Sequence, residues 1–109
     1  MKLWWPITEA MYATLRAWDV SGERRFLEWH RRIADWAFAH LKDPAGPEWF
    51  GYLDRRGEPT LLSKCRAWKG FFHLPRALLY SVQLLERRDV GISAAVRHEG
   101  AGSGEAARR

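Results

Sequence analysis

Apolar residues recur at helical spacing in three stretches of this chain, and the segment between the second and third breaks that rhythm. The pattern predicts helices over 6–18, 23–42 and 74–88. In the first, Met11, Leu15 and Trp18 repeat at helical spacing with Ala10, Ala13, Thr14 and Ala17 between them, small enough to admit a close neighbour. Pro6 suits a helix start and Glu9 suits the positive end of the dipole. In the second, Phe26, Trp29, Ile33, Trp36, Ala37 and Leu41 form an apolar stripe opposite Arg25, Glu28, Arg32 and Asp35. The third opens near Pro75 and carries Leu78, Leu79, Val82 and Leu85.

The breaks are punctuated. Asp19-Val-Ser-Gly22 reads as a turn, and Asp43-Pro-Ala-Gly46 ends the second helix. Between 47 and 74, Trp49-Phe-Gly-Tyr-Leu53 and Thr60-Leu-Leu62 resemble short strands around the turn Asp54-Arg-Arg-Gly57, which predicts a β-hairpin. A connection this long is unusual inside a compact domain and is often functional. From Asp89 the apolar pattern fades, and Gly, Ala and charge dominate from Gly100, so 89–109 is expected to be a disordered tail. The organisation is then 1–88 as one structural segment, all-α, three main helices with a long hairpin-containing loop.

The totals narrow the function classes. The net charge is +5, yet Arg24, Arg25, Arg31 and Arg32 alternate with Glu23, Glu28 and Asp35, and no nucleic-acid-binding motif accompanies them. A solvated helix face accounts for them. The one cysteine, Cys65, has no internal partner, which suits a reducing compartment. No apolar run approaches a membrane span, and the N-terminus lacks the apolar core of a signal peptide. The expectation is a cytoplasmic protein that binds neither nucleic acid nor membrane. The unusual number is seven tryptophans; some belong in a core, and others on loops suit the C–H faces of sugars.

Alternating helix directions make the first and third helices parallel, with the hairpin loop at the end where both begin. Glu9, His73, the Trp4-Trp5 pair and the 49–68 loop then surround one mouth. His73 precedes a helix, where the dipole disfavours imidazolium, and a neutral imidazole there can act as a base. Its bland alternative is a packing or capping histidine. Glu9 is either a second acid/base group and sugar ligand or simple dipole complementation. His30 and His40, ten residues apart on one helix, lack metal-ligand spacing, and no metal site is expected.

Three motifs then combine. Lys2-Leu-Trp-Trp-Pro6 with Thr8-Glu-Ala10 resembles the tryptophan-rich helix start of the N-acylglucosamine 2-epimerase (renin-binding protein) family. Glu48-Trp-Phe-Gly-Tyr-Leu-Asp54 resembles that family's hairpin, and Trp68-Lys-Gly-Phe-Phe-His-Leu-Pro-Arg-Ala77 its last catalytic motif. They occur in family order and span about residues 2 to 86.

The resemblance implies the C-terminal part of an (α/α)6 barrel and an isomerase that moves the C2 proton between N-acylglucosamine and N-acylmannosamine. By resemblance His73 is one of two acid/base histidines and Glu9 the glutamate of the sugar-binding mouth. Trp5, Trp49, Trp68 and Phe72 are wall candidates. The second histidine and an arginine near the substrate oxygen belong to helices absent here, so the chain alone is expected to be inactive. No cofactor is required; a nucleotide effector acts on some family members. Ile7 stands where the family commonly has histidine, which leaves the exact sugar open. The expected partners are a small-molecule sugar and either a complementing N-terminal part or a second copy. The rival from another class is a non-catalytic carbohydrate-binding or protein-interaction module. A glycoside hydrolase ranks lower, because it needs two carboxylates facing the sugar and only Glu9 is placed for it.

Overall fold

A computed structural model describes the backbone of residues 1–102 and the side chains of 1–89 and 91. The elements run β1 (Lys2–Leu3), α1 (Trp4–Ser21), α2 (Arg24–His40), β2 (Tyr52–Leu53) and α3 (His73–Gly102). α1 packs against both α2 and α3. Trp4 meets Leu41 and Ala37 of α2's end, and His30 Nδ1 lies 2.8 Å from the Met11 carbonyl, so α1 and α2 are antiparallel. Glu9 meets His73 and Asp19 meets Arg88, so α1 and α3 are parallel. Among the described residues the architecture is mostly helical, with three helices and a small two-stranded sheet. Among the described residues no helix is long and apolar enough to cross a membrane.

The sheet differs from the expected hairpin. β2 pairs antiparallel with β1, Lys2 opposite Leu53 and Leu3 opposite Tyr52. The hairpin survives as a tight return: Asp54 N–H donates to the Glu58 carbonyl at 2.8 Å and Thr60 N–H to the Tyr52 carbonyl at 2.9 Å. Residues 60–62 do not form a strand, and Leu62 is exposed. The first two residues before α1 carry no strand signal of their own, so the pairing that seats them was not legible. At the hairpin tip Gly57 has φ +94°, and a Cβ there would lie 2.6 Å from the His40 ring, so only glycine fits against the end of α2.

α1 begins two residues earlier than predicted, so Pro6 sits in the first turn, where its missing N–H costs no helical bond. The Trp4 N–H is satisfied by the Gly51 carbonyl at 3.1 Å. Glu9 lies beyond that first turn, which carries no acidic residue; dipole complementation does not explain it. α1 ends at Gly22, left-handed at φ 72°, whose N–H donates to the Trp18 carbonyl at 2.8 Å.

The core joins Trp4, Ala37, Leu41, Trp49, Leu53 and Leu74, with Ile7, Trp36, Phe50, Tyr52 and Leu78 packed around it. α1 packs against α3, and Thr8, Met11 and Leu15 of the one and Ala77, Ser81 and Leu84 of the other are all buried. This corrects the expected stripe of α3. The residues that bury are Leu74, Ala77, Ser81 and Leu84, at 3-and-4 spacing, whereas Leu79, Val82 and Leu85 are exposed. Small side chains at 77 and 81 let the two helices approach, and a reading weighted toward large apolar residues selects the wrong face. α3 also runs past its expected stop at Arg88 to Gly102. Gly91 and Gly100 are weak breakers, and no proline interrupts the Ala-rich stretch. The rest of the predicted disordered tail, 103–109, lies outside the described residues.

Candidate active site

Two helical pairs build the site. Trp5 and Glu9 are four apart on α1, and His73 and Arg76 are three apart on α3, so each pair shares a helix face. The β1–β2 pairing fixes where α1 starts, and the α1–α3 seam brings the two faces together. His73 Nδ1 lies 2.8 Å from Glu9 Oε1. The Arg76 guanidinium bonds the same oxygen. The Trp5 ring lies 5.8 Å from His73 and the Phe72 ring 5.0 Å from it, edge to face. Arg76 also stacks over Phe72 at 4.7 Å.

An open cleft of about 330 Å³ adjoins this cluster, lined by Leu3, Trp4, Trp5, Tyr52, Trp68 and His73. Glu9 is not among its lining residues; it stands behind His73. Partial burial is the largest influence on the Glu9 carboxyl and pushes its pKa up. The hydrogen bonds from His73 and Arg76, with their Coulombic attraction, together outweigh it and hold the carboxyl below the ordinary glutamate value. An ionised carboxylate only accepts, so Nδ1 of His73 carries the proton in this pair. Neutral His73 then has its lone pair on Nε2, the arrangement of an oriented general base.

The structure brings Trp5, Trp68 and His73 to the cleft, with Glu9 and Phe72 against His73 but not among its lining residues. It does not bring Trp49 to the cleft: Trp49 is 3% exposed, edge-on to Phe38 and inside the core. Its position beside the hairpin suggested a wall, but the antiparallel bridge between Lys42 and Trp49 turns the indole inward. Ile7 is also away from the cleft. It lines a second groove of about 590 Å³ on the α2 side, with Trp29, Ile33 and Trp36. That groove is the roomier of the two, but among the described residues its charged lining side chains are Lys2 and Arg32, with no carboxylate or imidazole. Arg76, which the structure sets on Glu9, is not among the sequence candidates. The signal was available, since a residue three after His73 on a helix shares its face. His30 and His40 are structural, the one on the Met11 carbonyl, the other stacked on Trp36 at 4.6 Å.

Every residue of this corner lies in the part of the chain that comparison with known proteins covers. The family model described as N-acylglucosamine 2-epimerase (GlcNAc 2-epimerase) matches residues 1–77. The N-acylglucosamine 2-epimerase of Rattus norvegicus is 44% identical over 85 residues, which are 78% of this chain and 20% of that protein. Those of Mus musculus and Homo sapiens are 42% identical over the same shares. The chain spans about a fifth of the length of these curated relatives. With both the motifs and the match extending through the residues that form the cleft, the chain belongs to the N-acylglucosamine 2-epimerase family.

Proposed function

We propose that this chain supplies one acid/base corner of a sugar 2-epimerase acting between N-acylglucosamine and N-acylmannosamine. The observation that carries the reading is the His73–Glu9 hydrogen bond beside an aromatic cleft. On the open-chain sugar the C2 proton is acidified by the neighbouring C1 carbonyl. His73 removes it, or delivers it, on one face through Nε2, while Glu9 holds the ring and its tautomer through Nδ1. Arg76 keeps Glu9 ionised. Trp5 and Trp68 offer flat faces to the C–H groups of the sugar, and Phe72 packs against His73 beside them. The chemistry is proton transfer next to a carbonyl and needs no cofactor; a nucleotide would act as an effector.

Inversion needs a second group on the opposite face. Among the described residues the cleft holds one imidazole, so the chain alone is inactive in this reading. The rest of an (α/α)6 barrel would supply the partner group. Two apolar surfaces support such a complement: Ile7, Trp29, Ile33 and Trp36 on one flank, and the exposed Leu79, Val82 and Leu85 on the other. The occupant is the N-terminal part of a family-length enzyme, with a second copy as the rival, in the cytoplasm.

The test joins this chain to the helices that a family-length enzyme has and this chain lacks. The joined protein forms N-acylmannosamine from N-acylglucosamine, and His73→Ala lowers that turnover about 10²–10⁴-fold. Full turnover by His73→Ala would remove His73 from the chemistry. The one-imidazole cleft favours a second reading, a carbohydrate-binding module without turnover. Sugar binding by a joined protein that never epimerises would establish that instead.

A further inference from the structure

Among the described residues Lys69 is the one charged residue that is buried, its side chain 2% exposed. Its ammonium donates to Glu48 Oε1 at 3.2 Å and lies 5.7 Å from the Trp4 ring centroid. The same Glu48 oxygen accepts the Trp49 N–H at 2.8 Å. To reach it, the lysine stem passes over Gly51. A Cβ at that position would fall 2.6 Å from Lys69 Cδ and 3.4 Å from the Trp4 indole, so the glycine is there for room. Burying an ammonium is costly, and a pair of this kind is poor value as a source of stability compared with an apolar side chain of the same shape. Its placement needs another reason.

That reason lies in the segment it anchors. From 65 to 72 Lys69 is the only buried residue. Its backbone closes a tight turn: Lys69 N–H donates to the Arg66 carbonyl at 3.0 Å, and Arg66 N–H to the Lys69 carbonyl at 3.3 Å. Trp68 stands on this turn, 87% exposed, and lines the His73 cleft. Nothing apolar in the turn is sunk into the core to hold it. Lys69 is the one side chain of the turn that is buried.

We infer that Lys69 is a positioning residue. Its stem between Gly51 and Trp4, with its ammonium on Glu48, fixes the 66–69 turn so that the Trp68 indole forms a wall of the His73 cleft for a sugar. The sugar in this statement rests on the function proposed above; the fastening of the turn does not.

Three substitutions in the full chain attack the fastening differently. Lys69→Met keeps the stem and removes the charge. Glu48→Gln keeps an acceptor for the Trp49 N–H. Gly51→Ala keeps both charges and displaces the stem. Tryptic cleavage after Arg66 reports the open population of the turn. It is expected to accelerate about tenfold in each variant, equivalent to about 1.4 kcal/mol. The Trp68 indole N–H resonance, assigned with Trp68→Phe, is expected to move, while the far-ultraviolet circular dichroism stays that of the parent. Should Lys69→Met lose its fold, Glu48→Gln decides. Unchanged cleavage and an unmoved Trp68 resonance in the folded variants would overturn the inference. Titration with N-acetylmannosamine separates the two readings. A Trp68 shift in the parent that is lost in the variants supports both. Faster cleavage with no sugar-induced shift in any protein keeps the fastening and removes the sugar.

Discussion

The two ends of the α1–α3 seam carry the same electrostatic motif. At one end Arg76 binds Glu9 and stacks over Phe72 at 4.7 Å; at the other Arg88 binds Asp19 at 2.8 Å and stacks over Trp18 at 4.6 Å. Both carboxyls titrate below their ordinary values. For Glu9 burial works against the hydrogen bonds from His73 and Arg76; for Asp19 the Arg88 hydrogen bond leads. A depressed carboxylate beside an arginine therefore marks neither end as a site. What separates them is the third partner and the surroundings. Glu9 holds an imidazole that lines an aromatic cleft, whereas Asp19 holds a second arginine, Arg16, and the hollow beside it has Glu86, Arg88 and Asp89 with no imidazole among the described residues.

The largest test of this contrast is catalytic. In the joined enzyme His73→Ala lowers turnover about 10²–10⁴-fold, the usual worth of a general acid/base, while Arg88→Ala leaves turnover as it was. Equal losses in a turnover assay would erase the distinction between the ends. The next largest concerns the seam they share. Leu15 is wholly buried midway along it, and Leu15→Ala costs about 2–5 kcal/mol. In so small a domain that consumes much of the stability, so denaturant titration should show both ends lost together. Survival of the Glu9–His73 contact after the Asp19–Arg88 contact is gone would mean two independent units.

Acid supplies a subtler probe. Both groups have folded pKa values below their unfolded ones, about 4.3 for Glu and 3.9 for Asp. Their stabilisation is complete above those unfolded values and is lost as pH falls through the depressed folded ones. Glu9→Gln and Asp19→Asn should each flatten the acid limb of the denaturation midpoint plotted against pH. A limb unchanged in Asp19→Asn would show that the far pair is idle in solution. The smallest effect is expected between the ends. Among the described residues the buried Ser81 hydroxyl has no hydrogen-bond partner, so Ser81→Ala should raise stability by roughly 0.5–1 kcal/mol, seen as a higher melting temperature.

Much of this corner was legible in the sequence. Helix periodicity placed α1 and α2, short connections set their directions, and the resulting parallel α1 and α3 brought Glu9 to His73. What was not legible has physical causes. The β1–β2 pairing joins residues some fifty apart and leaves no local pattern at Lys2 and Leu3. Trp49 reads the same on a wall or in a core, and its register decided. The buried face of α3 hid behind Ala77 and Ser81, because close helix approach is built from small side chains that hydrophobicity alone ranks low. Lys69 hid for the opposite reason: lysine is almost never buried, so nothing local announces one that is.

The sequence distance between Glu9 and His73 has a consequence for assembly. The Met11–His30 contact closes a loop of 19 residues, and the Glu9–His73 contact one of 64. For a flexible chain that difference adds about 1 kcal/mol of closure entropy. On a ribosome, where the chain emerges from its N-terminus, α1 and α2 can pair long before His73 exists to complete the corner. The Glu9–His73 contact is thus a late arrival in the life of each molecule, made between residues 64 positions apart.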